Sequence, residues 1–369
     1  MRTWRWLLTT CVLLIGSSSS KKAFISLATN DYYAKGALVT LHSVGIHAGS
    51  AQLERVLLVP SSGRVSKVWR QRFEALGIQV LDVPDVVPSP ALLEAMEAER
   101  SKLHRQGVLE VLQPMPYGGA FAKVHAWNPD LGYETVVLLD GDVLAKRPLV
   151  PLLRLEALSA GKDLNDAFNY GVVVLKPDRQ IHAGLVKLLT EAGEEELLRY
   201  NTRKSSDVGL CDQTLVAGYL AEHLPAIHYF EDLPRSRATF MSTEFNLMVS
   251  YRAKDRCEDA AGQREVQKAR LVHFANHWLN FQALIENREA AGRVDSPRCY
   301  KGAFHYWHDL YHHAMQLIES KSQAADPPLY HQPPRDLASG LATPEEVKEI
   351  FLNFQEIKEN FSGSSKEEL

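Results

Sequence analysis

The stretch 135-TVVLLDGDVL-144 decides how this chain is read. Five apolar or β-prone residues, Thr135 to Leu139, lead into two aspartates separated by a single glycine. The run is too apolar for a surface loop, so solvation alone does not account for the carboxylates at its end. Two carboxylates one residue apart suit a hard cation with oxygen ligands, Mg2+ or Mn2+, which completes its shell with phosphate oxygens and water. Gly141 between them lets another backbone come close. The same residues also fit a plain turn in which Asp side chains cap backbone donors.

Working outward, apolar runs at 23–29 (AFISLAT), 55–60 (RVLLVP), 78–84 (IQVLDVP) and 170–177 (YGVVVLKP) read as strands. Residues 33–49, 65–77 and roughly 90–105 carry helical patterns between them. Further on, 182–200 reads as one helical stretch, 211–224 as a loop entering a helix, 269–275 as a short strand and 304–320 as an aromatic-rich helix. Alternation of strands and helices predicts a layered α/β domain with a mostly parallel sheet. Ligands of such sheets bind beyond the carboxyl ends of the strands, where Asp140 and Asp142 would sit.

The 369 residues are 45% hydrophobic and 23% charged with a formal net charge of −4, an ordinary globular composition that argues against a general nucleic-acid binder. Residues 1–20 combine a basic start (MRTWR), a short apolar stretch and small polar residues, the pattern of a secretory signal peptide. The apolar stretch is shorter than the roughly 18 residues needed to span a bilayer, which favours a cleaved signal over a signal anchor. Residues 21–320 read as the main domain, 321–342 as a Pro-rich linker and 343–361 as an amphipathic helix opened by the capping box Thr343-Pro344-Glu345-Glu346. The tail 362–369 ends in KEEL, one conservative change from a lumenal retrieval signal, which favours the endoplasmic reticulum lumen over the Golgi. Cys11 lies in the signal; Cys211, Cys257 and Cys299 permit one disulfide and one free thiol in any pairing. One glycosylation sequon lies at Asn360.

Six motifs occur in order: LATNDYYAKGALVTLHSV (27–44), FAKVHAW (121–127), LLDGDVL (138–144), FNYGVVVLKP (168–177 by its strand), CDQTLV (211–216) and VHF (272–274). Together, over residues 23 to about 280, they resemble glycosyltransferase family 8, the glycogenin-like group. The resemblance implies a GT-A type, Rossmann-like fold: a mixed, mostly parallel sheet flanked by helices, here with a C-terminal helical extension. It implies a retaining hexosyltransferase that uses Mn2+ (or Mg2+) and a UDP-sugar donor. By position, Thr29, Asn30 and Tyr33 would hold the uracil and ribose, and Lys123 would reach the diphosphate or sugar. Asp140, Asp142 and His273 would ligate the metal, with Gly141 close to the ribose. Asn169 and Tyr170 would face the donor sugar, and Asp212 and Gln213 its reactive carbon. The acceptor would be a hydroxyl of a glycan, a protein or a small molecule; a homodimer stays open.

The chain departs from the family pattern downstream. The family commonly follows the metal histidine with Gly and then Lys-Pro-Trp, whereas this chain has HFANHWLNF, with Asn276 for the Gly and Leu279 where the Lys belongs. The acidic residue three before the Asp-Gln pair is Gly209, with Asp207 nearby. These departures keep a second class in play, a non-catalytic lumenal protein with the nucleotide-sugar fold. A phosphatase with an Asp nucleophile also places D-x-D at a strand end, but there the strand opens the domain. His305, His308 and His312 near one face of the 304–320 helix, with His313 beside them, read as packing on the acceptor side rather than as a metal cluster.

Overall fold

Strands that are apolar at every position need cover on both faces. The structure, a computed structural model, provides it; it describes residues 21–47, 53–105, 117–163, 167–201, 212–232, 244–249, 260–274, 281–288 and 300–323. The signal, most of the linker, the 343–361 helix, the tail, the non-signal cysteines and the segment 275–280 lie outside the described residues.

The seven-stranded sheet runs β3-β2-β1-β4-β7-β6-β8, where β1 is Lys22–Leu27, β2 Glu54–Pro60, β3 Gln79–Val83, β4 Thr135–Leu139, β6 Ser159–Gly161, β7 Asn169–Leu175 and β8 His228–Tyr229. Strands β3, β2, β1 and β4 are parallel, β7 is antiparallel to both β4 and β6, and β6 and β8 are parallel. The mostly parallel α/β sheet expected from the sequence is what is observed. Period-two alternation divides its side chains. Phe24, Val137, Leu139, Val172 and Val174 enter one core, while Ala23, Ile25, Val136, Leu138, Val173 and Leu175 enter the other.

On the first face lie helices α1 (Asp31–His47), α2 (Lys67–Ala75), α8 (Phe281–Glu286) and α9 (Lys301–Gln323). The aromatic stripe of α9 explains its docking: Tyr300, Phe304, Trp307 and Tyr311 are all buried, and Trp307 stacks on Phe281 with ring centroids 5.6 Å apart. The second face is covered by α3 (Pro90–Arg105), a 3-10 helix at Phe121–Trp127, α4 (Arg179–Glu191), α5 (Glu194–Tyr200) and α6 (Asp212–His223). The stretch 182–200, read from sequence as one helix, is two. It breaks at Ala192 and Gly193, and Glu194, Glu195 and Glu196 occupy the first turn of α5, where the helix dipole favours negative charge.

A second, three-stranded sheet places β10 (Leu271–His273) between β5 (Val143–Ala145) and β9 (Leu247–Met248). Helix α7 (Ala260–Lys268) precedes β10. No helix among the described residues is long and apolar enough to cross a membrane.

Candidate functional site

The site is built where β4 ends. Residues 140–142 form the turn between β4 and β5, and α1 holds that turn from one side. Thr40 Oγ1 donates to the Val143 carbonyl at 2.7 Å, and Ser43 Oγ accepts from Ala145 N–H at 3.1 Å. The backbones touch at glycines: a Cβ on Gly36 would lie 2.4 Å from the Gly141 oxygen, so only glycine permits this approach. Asp140 N–H donates to the Gly171 carbonyl at 2.9 Å, tying the turn to the start of β7.

The register of the small sheet brings in His273. It pairs directly with Val143, and Phe274 N–H donates to the Asp142 carbonyl at 3.0 Å. Its Nε2 therefore lies 3.3 Å from Asp142 Oδ1 and 4.0 Å from Asp140 Oδ2. One ligand atom from each of Asp140, Asp142 and His273 lies within 4.8 Å of the other two. The donor set, two carboxylate oxygens and an imidazole nitrogen, fits a divalent cation of the Mn2+ or Mg2+ kind. Burial pushes the Asp140 carboxyl up, with Asp142 adding to it against the opposing charges of Lys123 and His273. Burial pulls the His273 ring down, but Asp142, through charge and hydrogen bond, and Asp140 outweigh it and leave the ring above its usual value. The arrangement favours positive charge between the carboxylates.

Lys123, on the 3-10 helix, brings its ammonium 2.5 Å from Asp140 Oδ1 and 5.8 Å from the centre of the Tyr170 ring. The Tyr170 ring itself is buried, and its hydroxyl accepts from Trp127 Nε1 at 3.2 Å. Thr29 and Asn30 follow β1, beside β4 at the same end of the sheet. Thr29 Oγ1 is buried without a hydrogen-bond partner among the described residues. Asn30 Oδ1 accepts from the N–H groups of Tyr32 and Tyr33, capping α1. The Tyr33 hydroxyl is pushed up to about 12 by burial and by the neighbouring Tyr32 and Asp142, so it stays a donor. The side of Gly141 where a Cβ would stand is filled by α1, with Ala37 N 3.3 Å from that position.

Asn169 and Gln213 meet at the start of β7. Asn169 Nδ2 donates to Gln213 Oε1 at 3.2 Å, and Tyr170 N–H donates to the same oxygen at 3.0 Å. Asp212 is the first residue of α6; its side chain is outside the described set. The structure thus brings Lys123, Asp140, Asp142, Asn169, Gln213 and His273 together at one end of the sheet. Two more residues join them that the sequence reading did not single out. Asp163 accepts from Gln213 Nε2 at 3.4 Å, and Asn246 Oδ1 lies 3.2 Å from His273 Nδ1.

No protein-family model matches the chain. It is 30% identical over 213 residues to glycogenin-1 of Mus musculus, covering 56% of this chain and 55% of that protein. Against glycogenin-1 of Homo sapiens it is 32% identical over 174 residues, 47% of this chain and 44% of that one. The chain spans about half the length of these curated relatives. Among solved structures, it aligns at 14% identity and a TM-score of 0.45 with the galactosyltransferase LgtC in complex with donor and acceptor sugar analogs, covering 86% of this chain and 99% of that one. In sequence, the chain resembles the glycogenin-like group of glycosyltransferase family 8.

Proposed function

We propose that this protein is a metal-dependent, retaining glycosyltransferase that moves a hexose from a UDP-sugar to an acceptor hydroxyl. The observation that carries the reading is the convergence of Asp140, Asp142 and His273 Nε2 beside Lys123 and beside the Asn169–Gln213 pair. The sequence similarity to glycogenins supports it. Asp140, Asp142 and His273 would hold the ion. A divalent ion there supplies Lewis-acid stabilisation of charge growing on the leaving diphosphate. Lys123, already beside Asp140, adds a second positive group on the same side. Thr29 Oγ1, the Asn30 amide N–H groups and the Tyr33 hydroxyl offer donors at the end of β1, where the nucleoside would lie. Asn169 and Gln213 would lie on the side of the donor sugar. The signal-like stretch 1–20 and the KEEL motif support a reading in which the reaction runs in the lumen of the endoplasmic reticulum.

The test is a donor screen with Mn2+, reading UDP release over UDP-glucose, UDP-galactose, UDP-glucuronate and UDP-N-acetylglucosamine. Release with at least one donor, abolished by chelation, is expected. Absence of release with every donor, in protein that binds Mn2+, would overturn transfer in favour of a non-catalytic protein with the same pocket.

A further inference from the structure

We infer that Asn246 is a positioning residue: its amide holds His273 as the Nδ1–H tautomer, aims the Nε2 lone pair at the aspartates, and couples the metal ligand to Asn169 and Gln213. The inference rests on the metal site proposed above.

Two backbone groups in this network have fixed roles. A backbone N–H can only donate. Gly171 N–H donates to Asn169 Oδ1 at 3.1 Å, which settles the orientation of that amide and sends its Nδ2 to Gln213 Oε1. Tyr170 N–H likewise settles Gln213, leaving Nε2 to point at Asp163 Oδ2, an acceptor when ionised. Asn169 Oδ1 is therefore an acceptor, and the group 3.0 Å from it on Asn246 must be Nδ2. That leaves Asn246 Oδ1 facing His273 Nδ1 at 3.2 Å. Two acceptors cannot share a proton that neither carries, so Nδ1 holds the hydrogen. Nε2 is then the nitrogen that faces Asp142 Oδ1 and Asp140 Oδ2: it donates to Asp142 while the ring carries both protons, and offers its lone pair once a cation takes that proton's place.

Every donor in this chain points the same way, from His273 through Asn246, Asn169 and Gln213 to Asp163. Reversing the Asn246 amide would face oxygen against oxygen at Asn169. Asn246, Asn169 and His273 are only 2%, 3% and 4% exposed, so water does not repair such a reversal. The backbone is cut away to admit the chain. A Cβ on Gly161 would meet Asn246 Nδ2 at 2.8 Å, and one on Gly171 would meet His273 Cε1 at 2.2 Å. A histidine whose far nitrogen is held by a fixed acceptor is the arrangement that orients and strengthens a metal ligand.

The experiment uses the full chain and two variants, Asn246→Leu and Asn246→Asp. Mn2+ alone, with no donor, is titrated and free Mn2+ is read by EPR; 15N NMR of the neutral His273 ring reports its tautomer; circular dichroism melts check the fold. Wild type should show the Nδ1–H tautomer. Asn246→Leu should bind Mn2+ about 10- to 100-fold more weakly and lose the single tautomer. Asn246→Asp keeps the acceptor and should restore Mn2+ affinity but not UDP release, because it cannot donate to Asn169. A folded Asn246→Leu with wild-type Mn2+ affinity, an Nε2–H tautomer in wild type, or equal losses in both variants would each overturn the inference. If Asn246→Leu does not fold, the wild-type tautomer and the Asp variant decide. Wild-type protein that takes no Mn2+ would sink the proposed function, while the NMR spectrum would still judge the tautomer by itself.

Discussion

His273 and His42 are buried almost equally, at 4% and 5% exposure, yet their rings answer to opposite surroundings. His273 faces two carboxylates and its proton affinity rises. His42, on α1, faces His313 on α9 with ring nitrogens 3.2 Å apart, and it is pushed down to about 3 by burial, then by His313 and Arg55. A second ring of the α1–α9 seam repeats that pattern. His47 bonds the Tyr306 hydroxyl at 2.9 Å and is pushed down to about 4 by burial and Lys146. His308 and His312 bond the carbonyls of Leu284 and Ile285 near the end of α8. Burial therefore does not mark a ligand. A buried ring beside a hydroxyl or another ring is packed and satisfied; one whose Nε2 converges with carboxylates favours a cation.

The contrast breaks most sharply at Asp142. Asp142→Asn should abolish Mn2+ binding and lower UDP-sugar turnover by about 10³-fold or more, since the stabilisation lost is several kcal/mol. Its thermal melt should stay close to wild type, because the change also relieves repulsion with Asp140; full turnover in the variant would sink the metal assignment. Gly171→Ala should come next. The added methyl collides with the His273 ring, so the melt should show a loss of about 1–3 kcal/mol together with weakened Mn2+ binding. Unchanged Mn2+ affinity there would mean that the ring position does not matter.

On the other side of the comparison, the seam should respond to pH and not to metal. The folded-state values of His42 and His47 lie below the ordinary 6.5, so below that pH the unfolded chain binds more protons. Stability is full above about 6.5 and falls as pH drops toward 4, by up to about 1.4 kcal/mol per pH unit for each ring. His42→Gln should flatten that slope in urea melts at several pH values while leaving Mn2+ affinity intact; a slope identical to wild type would refute the assignment. The smallest effect is a control. Asp178 caps α4 by accepting from Gln180 and Ile181 N–H, and Asp178→Ala should cost about 1 kcal/mol in the same melts, with turnover unaltered.

The sheet and the aspartate turn were legible because runs such as Thr135–Leu139 are continuous, apolar and bounded by turn residues, a purely local signal. The division of 182–200 into two helices was missed because Leu185, Leu188, Leu189 and Leu197 still carry a helical apolar stripe; the break is set by Gly193 and the three glutamates that follow it. Asn246 was invisible for a different reason. It sits in FNLM, where its neighbours are apolar core residues and no spacing marks it. Its role depends on which strands lie side by side, and β9 and β10 are too short to declare their partners. The six ordered motifs, by contrast, drew the candidate residues from separate segments, and the structure places most of them at one end of the sheet.

Because His273 reaches the aspartate turn through the pairing of β10 with β5, the ligand set is closed by a contact between distant parts of the chain. Contacts of such sequence separation are costly to form early in folding. An ion present at a hundredfold excess over its Kd would add about 2.7 kcal/mol to the native state, like a clasp fastened after the halves have met. Interactions absent from the folding transition state act mainly on the rate of unfolding. Chelation should accordingly hasten unfolding while leaving the refolding rate little changed, and the aspartate–histidine cluster would then act as a kinetic lock on the fold.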